Sequence, residues 1–202
     1  MTSPARMRPA HPAEHGLAAL ADLFSLVTPS DIDAVRVTGV TVASTDVEPG
    51  DLFVAVPGLR VHGATYAAAA VDEGAVAVVT DEAGAAMLTG LAVPVLVAAD
   101  PRGLVGPLAA VVHERPADRL ATVGITGTNG KTTTTYFVDA ALRAVHRVTA
   151  VMGTVELRIG DEAIESPRTT VEAPVVQSIL ARGLERGATA VAMEVSSHAL
   201  AL

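Results

Sequence analysis

The sequence predicts an α/β fold in two parts, a small α/β domain followed by a larger domain built around a phosphate-binding loop. Short apolar strands alternate with alanine-rich helical segments along the chain, which favours helices packed on a mostly parallel sheet. A glycine-rich loop at 124–133 follows an apolar strand and begins a helical segment. Another apolar strand, 189–195, carries Glu194 as its single acid. These three observations indicate a nucleotide-binding sheet in the second part.

The composition excludes several classes of function. The 202 residues contain no cysteine and carry a formal net charge of −8, without a cluster of Lys and Arg. Disulfides and thiolate chemistry are therefore excluded, and no nucleic-acid partner is expected. No apolar stretch reaches the ~18 residues of a membrane-spanning helix, and the first residues lack the apolar core of a secretory signal. We expect a cytoplasmic protein without a membrane partner.

The first part of the chain has the pattern of a small α/β domain. Proline and alanine dominate the start, which predicts a flexible tail over 1–15, and the domain is expected to cover 16–99. Alanine-rich runs that end at glycine predict helices, and β-branched runs predict strands. The predicted helices are 17–26, 64–73 and 82–88, and the predicted strands are 35–37, 40–42, 51–56, 75–79 and 93–97.

Asp100-Pro101 predicts the start of the second domain, which is expected to cover 100–202. Aspartate is favoured as the N-cap of a helix and proline at its first position, so a helix is expected from residue 101 to about residue 115. The further predicted helices are 131–145 and 174–186; the strands are 121–126, 147–151 and 189–195, with a hairpin of 155–159 and 162–165.

The loop at 124–133 has the sequence Gly-Ile-Thr-Gly-Thr-Asn-Gly-Lys-Thr-Thr and is the most informative segment of the chain. Glycines let the backbone turn tightly with its N–H groups inward, and the following helix N-terminus favours an anion. Lys131 is expected to reach the β- and γ-phosphates of ATP, and the Thr132 hydroxyl to bind Mg²⁺. The expected nucleotide-binding residues are Gly127, Thr128, Asn129, Gly130, Lys131, Thr132, Thr133 and Thr134. A Gly/Thr-rich turn with a solvated lysine is the alternative.

Glu194 is the expected partner of the loop. Ligands of nucleotide-binding sheets lie beyond the carboxyl ends of the strands, and Glu194 stands at such an end. A carboxylate there can face a Mg²⁺ ion held by Thr132. We therefore expect Lys131 and Glu194 to be catalytic and Thr132 and Glu194 to be the metal ligands. A solvated or capping glutamate is the alternative for a strand end.

Five stretches of the sequence resemble the Mur ligases, the ATP-dependent amino-acid ligases of peptidoglycan precursor synthesis. They are 124–135, 149–155 (Thr-Ala-Val-Met-Gly-Thr-Val), Thr169-Thr170, 192–198 (Ala-Met-Glu-Val-Ser-Ser-His) and, in the first domain, 49–55 (Pro-Gly-Asp-Leu-Phe-Val-Ala) with His62-Gly63. The stretches at 149–155 and 192–198 are most similar to the MurE-type branch, which adds the third residue of the peptide. The loop alone also fits folylpolyglutamate-type ligases.

The resemblance implies a ligase that uses ATP and Mg²⁺ to add the third amino acid to UDP-N-acetylmuramoyl-L-Ala-D-Glu through an acyl phosphate. It implies that 16–99 binds the UDP substrate and that 100–202 binds ATP. The residues that the resemblance places against the UDP-muramoyl-dipeptide are Ser44, Leu59, Arg60, Val61, Thr169, Thr170 and Ser196.

The resemblance also implies that the chain is the amino-terminal portion of such a ligase, with an incomplete central domain. The remainder of the ligase chain is expected as a partner, and no turnover is expected from these 202 residues alone. A non-catalytic module that binds the UDP-linked substrate or a nucleotide is the alternative. We further expect the last strand of the incomplete sheet to present an unpaired edge and an uncovered apolar face.

Overall fold

The computed structural model describes residues 7–28, 31–166 and 169–200, which divide into two compact units. The first unit contains residues 12–114, and the second contains the described residues up to His11 and those from Arg115 onward. Each unit has its own sheet and its own helices. The prediction of an α/β fold in two parts is therefore confirmed.

The first unit is built on a parallel four-stranded sheet of order β3-β4-β5-β6. All four residues of β4 and of β5 are buried, as expected for parallel strands with helices on both faces. A separate antiparallel pair, β1 and β2, precedes this sheet. The strands are β1 (His15–Gly16), β2 (Arg36–Val37), β3 (Gly39–Thr41), β4 (Asp51–Val54), β5 (Ala77–Thr80) and β6 (Val95–Val97), and the helices are α1 (Leu17–Phe24), α2 (Ala67–Asp72), α3 (Glu82–Met87) and α4 (Pro101–Val112).

Side-chain caps fix where α3 and α4 begin. Asp100 accepts the N–H of Gly103 at 3.0 Å, which confirms the predicted N-cap of α4. Asp81 caps α3 in the same way. The predicted helix at 64–73 is shorter than expected, because its first turn is a 3₁₀ turn in which His62 Nδ1 accepts the N–H of Ala64 at 3.0 Å.

The boundary between the units lies between Glu114 and Arg115 and not at residue 100. Helix α4 contacts β3 and β4 and buries Val105 and Leu108, so it belongs to the first unit. The Asp-Pro signal therefore marks the start of a helix but not the start of a domain. The substrate-binding and ATP-binding functions expected of the two parts remain predictions.

The second unit is built on a mixed five-stranded sheet of order β10-β9-β8-β11-β7. Strands β8, β11 and β7 are parallel, while β9 and β10 form the predicted antiparallel hairpin. The strands are β7 (Ala121–Ile125), β8 (Thr149–Met152), β9 (Glu156–Ile159), β10 (Glu162–Glu165) and β11 (Ala190–Glu194), and the helices are α5 (Lys131–Arg143), α6 (Ala173–Glu185) and α7 (Ser197–Leu200). Across the described ranges, no helix is both long and apolar enough to cross a membrane.

The last strand, β11, lies between β8 and β7 and is paired on both sides. The prediction that this strand would form an unpaired edge is therefore wrong, because the chain returns between two strands that it has already formed. In the described part of the sheet β7 stands at the end of the strand order, and its residues Ala121, Thr122 and Gly124 are exposed. Glu194 is in register with Ile125, which places the ends of β11 and β7 side by side.

The segment 7–11 packs into the second unit. Met7 is 1% exposed and belongs to the apolar core that α6 shares with the sheet, and Ser178 Oγ donates a hydrogen bond to its carbonyl at 3.3 Å. The prediction of a flexible tail over 1–15 is therefore wrong from residue 7 onward, because one methionine in a Pro/Ala-rich segment supplies buried apolar surface. Residues 1–6 of that prediction lie outside the described residues.

Glu185, at the end of α6, holds the same segment through its carboxylate. It accepts the backbone N–H groups of Ala10 at 2.7 Å and His11 at 2.9 Å. The bond from Ala10 is the main reason that the pKa of Glu185 lies below its ordinary value. The segment is therefore fixed by hydrogen bonds as well as by the burial of Met7.

Candidate functional site

The segment between β7 and α5 is curled and not extended. Gly127 has φ 150° and Gly130 has φ 77°, and the second value lies in the left-handed region that glycine adopts without strain. Gly130 is the N-cap of α5, and its carbonyl accepts the N–H of Thr134 at 2.9 Å. The N–H groups of the first helical turn have no carbonyl within the helix to bond, so this turn is suited to bind an anion.

Lys131 is the first residue of α5 and lies over the loop. Its ammonium group donates a hydrogen bond to the carbonyl of Gly127 at 2.8 Å. The contact is local, so the ammonium could exchange this carbonyl for a phosphate oxygen by side-chain rotation alone. The position fits the predicted role of Lys131.

Glu194 and Thr132 lie together, as the sequence predicts. The Thr132 hydroxyl donates to Glu194 Oε2 at 3.1 Å, although the two residues are 62 positions apart. Thr132 lies in the first turn of α5 and Glu194 at the end of β11. The carboxylate is 2% exposed, so it is not the solvated strand-end residue of the alternative interpretation.

The turn after β8 supplies two more donors to the same carboxylate. The N–H of Thr154 lies 2.9 Å from Glu194 Oε1, and the Thr154 hydroxyl lies 3.1 Å from Oε2. A side chain on Gly153 would collide with the carboxylate, so glycine is required for this close approach. The three donors offset the cost of burying a carboxylate and hold it in one orientation.

The predicted substrate residues of the second unit surround the end of β11. Thr154 Oγ1 lies 3.1 Å from Thr169 Oγ1. The Thr170 hydroxyl donates to the carbonyl of Glu194 at 3.2 Å and accepts the N–H of Ser196 at 2.9 Å. The structure therefore brings Thr169, Thr170 and Ser196 around the end of β11, where Thr170 bonds the Glu194 backbone and Thr169 reaches the carboxylate only through Thr154.

Tyr136 lies one turn beyond Thr132 on α5 and was not predicted as a site residue. Burial, followed by the neighbouring carboxylates of Glu156, Glu194 and Asp139, raises the pKa of its hydroxyl. The phenol therefore stays protonated at neutral pH and remains a hydrogen-bond donor beside the site.

A charged network ties α5 to the strands below it. Arg158 Nη2 donates to Asp139 Oδ2 at 2.6 Å, and the Thr149 hydroxyl donates to Oδ1 at 2.7 Å. Arg143 approaches the same carboxylate at 3.0 Å, and Arg158 Nε lies 3.1 Å from Glu156. These contacts fix the helix that carries Lys131 and Thr132 relative to β8 and β9.

The predicted uridine-binding residues belong to the first unit. Ser44 begins a 3₁₀ turn, Ser44–Asp46, and is half-buried. Leu59, Arg60 and Val61 lie in a turn closed by a bridge between Pro57 and His62, and Leu59 is 99% exposed. Exposure makes the turn available to a ligand, and its role remains a prediction.

The donor set fits Mg²⁺ bound together with phosphates. Within residues 7–28, 31–166 and 169–200, no three His, Asp or Glu side chains cluster to hold a metal ion. The Thr132 hydroxyl and the Glu194 carboxylate are hard oxygen donors, and Mg²⁺ in nucleotide sites takes one or two carboxylates together with phosphate oxygens. The two oxygen donors therefore suit a cation that is bound together with phosphates.

Thr154 is the contact residue that the sequence reasoning missed. It lies in the stretch 149–155 that carries the family resemblance, and it follows the buried strand β8. The argument that placed Glu194 at the carboxyl end of a parallel strand applies equally to Thr154. The available signal was therefore a hydroxyl residue just beyond a neighbouring strand end.

Two domains of one family of known proteins match the chain. Residues 36–115 match the Mur ligase family, catalytic domain, and residues 125–202 match the Mur ligase middle domain. The two matches fall on different units and together cover most of the sequence. They agree with the stretches from which the resemblance was inferred.

Curated relatives are similar over the whole chain. The UDP-N-acetylmuramoyl-L-alanyl-D-glutamate--2,6-diaminopimelate ligases of Streptomyces avermitilis and Streptomyces coelicolor are 52% and 48% identical over 202 residues. The UDP-N-acetylmuramyl-tripeptide synthetase of Leifsonia xyli is 48% identical over 199 residues, or 98% of the chain. The chain spans 39% of the length of each Streptomyces relative and 38% of that of the Leifsonia relative.

Solved structures share the fold. A UDP-N-acetylmuramoyl-L-alanyl-D-glutamate--2,6-diaminopimelate ligase, 27% identical, aligns with 90% of the chain and 36% of its own length at a TM-score of 0.70. MurF from Acinetobacter baumannii aligns with 92% of the chain and 36% of its own length at 18% identity and a TM-score of 0.63, which supports the fold alone. On the family matches, the relatives and the common fold, the chain belongs to the Mur ligase family.

Proposed function

We propose that the chain is the amino-terminal portion of a MurE-type ligase and binds its nucleotide and its UDP-linked substrate. The parent ligase adds the third amino acid to UDP-N-acetylmuramoyl-L-Ala-D-Glu and acts in the cytoplasm. The main support is the 3.1 Å contact between Thr132 and the buried carboxylate of Glu194, beside a curled loop that begins a helix. The names of the Streptomyces relatives favour 2,6-diaminopimelate as the added amino acid.

The loop residues hold ATP in this proposal. Gly127, Thr128, Asn129 and Gly130 surround the phosphates with backbone N–H groups, and Thr133 and Thr134 lie in the first turn of α5. Lys131 exchanges the Gly127 carbonyl for the β- and γ-phosphates. Thr132 and Glu194 would hold Mg²⁺, which neutralises phosphate charge when it is bound.

The reaction in this proposal is the one that the family resemblance implies, and the charge arrangement of the site is compatible with it. A substrate carboxylate oxygen attacks the γ-phosphorus of ATP, the bond to the β-phosphate oxygen breaks, and an acyl phosphate and ADP form. The amino group of the incoming amino acid then attacks the acyl carbon, loses a proton and displaces inorganic phosphate to give the amide. Positioning and charge stabilisation by groups such as Lys131 supply most of the catalysis in phosphoryl transfer.

The UDP-muramoyl-dipeptide contacts two sets of residues in this proposal. Thr169, Thr170 and Ser196 lie around the end of β11, where a carboxylate next to the γ-phosphate is required. Ser44 and the turn at Leu59, Arg60 and Val61 bind the uridine diphosphate, and Arg60 offers a cation to its phosphates. The remaining part of the ligase would complete the amino-acid site.

Replacing Lys131 with alanine tests the nucleotide site. The K131A variant should bind Mg-ATP at least about 10-fold more weakly than the wild type, because a charge-assisted contact to phosphate is lost. Isothermal titration calorimetry measures the affinity, and R119A, which removes an exposed cation of the same unit, is the matched control. Unchanged affinity in K131A would refute the placement of the site.

The single lysine of the chain permits an independent measurement of the same site. Lys131 is the only lysine in the sequence, so an amine acylating reagent has one side-chain target besides the terminal amine. Mg-ATP should protect Lys131 from acylation, as read by mass spectrometry of its peptide, with the terminal amine as an internal control. Binding of UDP-muramoyl-dipeptide without nucleotide binding would instead favour a substrate-binding module.

A further inference from the structure

Thr154 contacts both the carboxylate of Glu194 and the hydroxyl of Thr169, and the proposed function gives it no role. Its hydroxyl oxygen lies 3.1 Å from Glu194 Oε2 and 3.1 Å from Thr169 Oγ1. Its N–H lies 2.9 Å from Glu194 Oε1. One residue thus joins the carboxylate assigned to the metal and a hydroxyl assigned to the substrate.

Counting protons gives these hydroxyl contacts a direction. A threonine hydroxyl donates one proton, and an ionised carboxylate can only accept. The Thr154 proton therefore points to Glu194 Oε2, and Thr169 must donate its own proton to Thr154 Oγ1. The hydrogen bonds run from Thr169 through Thr154 to Glu194, and donation to Thr154 strengthens the bond that Thr154 makes to the carboxylate.

The orientation of the Glu194 carboxylate depends on its hydrogen bond from Thr154, because the carboxylate is buried and closely packed. Glu194 is 2% exposed, and Gly153 leaves room for its carboxylate only by lacking a side chain. Residues that orient a metal-binding carboxylate without touching the metal change metal affinity by about 10- to 100-fold when they are replaced. The Thr154 N–H fixes Oε1 in any variant, so the hydroxyl can be tested separately.

We propose that Thr154 is a positioning residue that couples substrate contact at Thr169 to the metal-binding geometry of Glu194. The inference rests on the proposed function, since it takes Thr132 and Glu194 as the metal ligands and Thr169 as a substrate contact. A ligand group that rearranges the Thr169 hydroxyl changes the bond from Thr154 to Glu194 and thereby the affinity for the metal nucleotide. Linkage requires the metal nucleotide to change substrate affinity by the same factor.

The test measures the binding of Mn²⁺, in place of Mg²⁺, in the presence of ADP. Electron paramagnetic resonance reports free Mn²⁺ for the wild-type chain, T154V, T154S and the control T122V, which removes an exposed hydroxyl from β7. T154V should bind Mn-ADP about 10-fold more weakly, whereas T154S, which keeps the hydroxyl, should retain most of the affinity. T122V should match the wild type.

The same titrations with added UDP-N-acetylmuramoyl-L-Ala-D-Glu measure the coupling. The substrate should change the Mn-ADP affinity of the wild type, and this change should disappear in T154V and in T169V. A purely structural role of Thr154 would leave the change in place. If circular dichroism shows that T154V does not fold, T169V tests the coupling in the same Mn²⁺ titrations.

Several outcomes would overturn the coupling. One is a folded T154V that binds Mn-ADP as tightly as the wild type, and another is an equal loss of Mn-ADP affinity in T154S and T154V. The others are a substrate that does not change the Mn-ADP affinity of the wild type, and a change that persists unaltered in T169V. Absence of Mn-ADP binding by the wild-type chain would overturn the proposed nucleotide site first and the coupling with it. The two failures are therefore distinguishable from the wild-type titration alone.

Discussion

Asp139 is a buried residue whose carboxylate has two arginine partners and one hydroxyl donor. Its side chain is 6% exposed, and that of its partner Arg158 is 10% exposed. The carboxylate also accepts from the Thr149 hydroxyl at 2.7 Å and meets Arg143 at 3.0 Å. Removing one member of such a buried pair leaves the other charge uncompensated, which costs more than the pair itself contributes.

We therefore expect D139N to destabilise the second unit by about 3 kcal/mol, because buried Arg158 loses the closer of its two counter-charges and keeps only Glu156 at 3.1 Å. Urea unfolding followed by circular dichroism measures the change. The control is D118N, which breaks an ion pair with Arg115 whose side chains are 69% and 62% exposed and should cost less than about 1 kcal/mol. Equal losses in the two variants would contradict the importance of burial.

Single residues were predictable where a local motif or the end of a strand identifies them, whatever the separation of the residues that they contact. Lys131 and Thr132 lie in one local motif, and Glu194 stands at a strand end, so the sequence alone brought them together as a hypothesis. The contacts of Thr154 with Glu194 and of Arg158 with Asp139 span only 40 and 19 positions, against 62 for Thr132 and Glu194, but no loop motif marks their residues. Such contacts depend on which strands become neighbours, and residue type alone does not reveal this.

The elements were predictable where local chemistry decides them. Asp100 as an N-cap and the turn at Gly160-Asp161 marked a helix start and a hairpin that the structure contains. The neighbours of an element were harder to predict. Helix α4 joined the first unit because of the strands that it covers, and β11 took a central place in its sheet. Both results depend on packing between distant segments.

The segment 7–11 gives an element-scale prediction. M7A should destabilise the second unit by about 2–5 kcal/mol, because a methionine that is 1% exposed leaves a cavity in the core when it is truncated. The matched control is V145A, at a residue that is 84% exposed, and it should change stability by at most about 0.5 kcal/mol. Chemical denaturation of each variant measures the loss, and equal stability of M7A and the wild type would restore the flexible-tail interpretation.

At the scale of the whole molecule, the second unit leaves one apolar surface exposed to solvent in its described part. Strand β7 pairs with β11 on one side and stands at the end of the strand order. On the adjacent helix α5, Phe137 is 71% exposed, and Ala140 and Ala141 are exposed on the same face, three and four residues further on. An open strand edge beside an exposed aromatic favours pairing with another chain.

We therefore expect the 202-residue chain to self-associate at micromolar concentrations. F137E should reduce this association, because a carboxylate in the middle of the apolar face must be desolvated when two copies meet. Size-exclusion chromatography with light scattering measures the mass of each variant across a dilution series. The matched control is L23E, which places the same charge at a residue of the first unit that is 62% exposed and should leave the association unchanged. A monodisperse wild-type monomer, or an equal effect of L23E, would show that this face does not drive association.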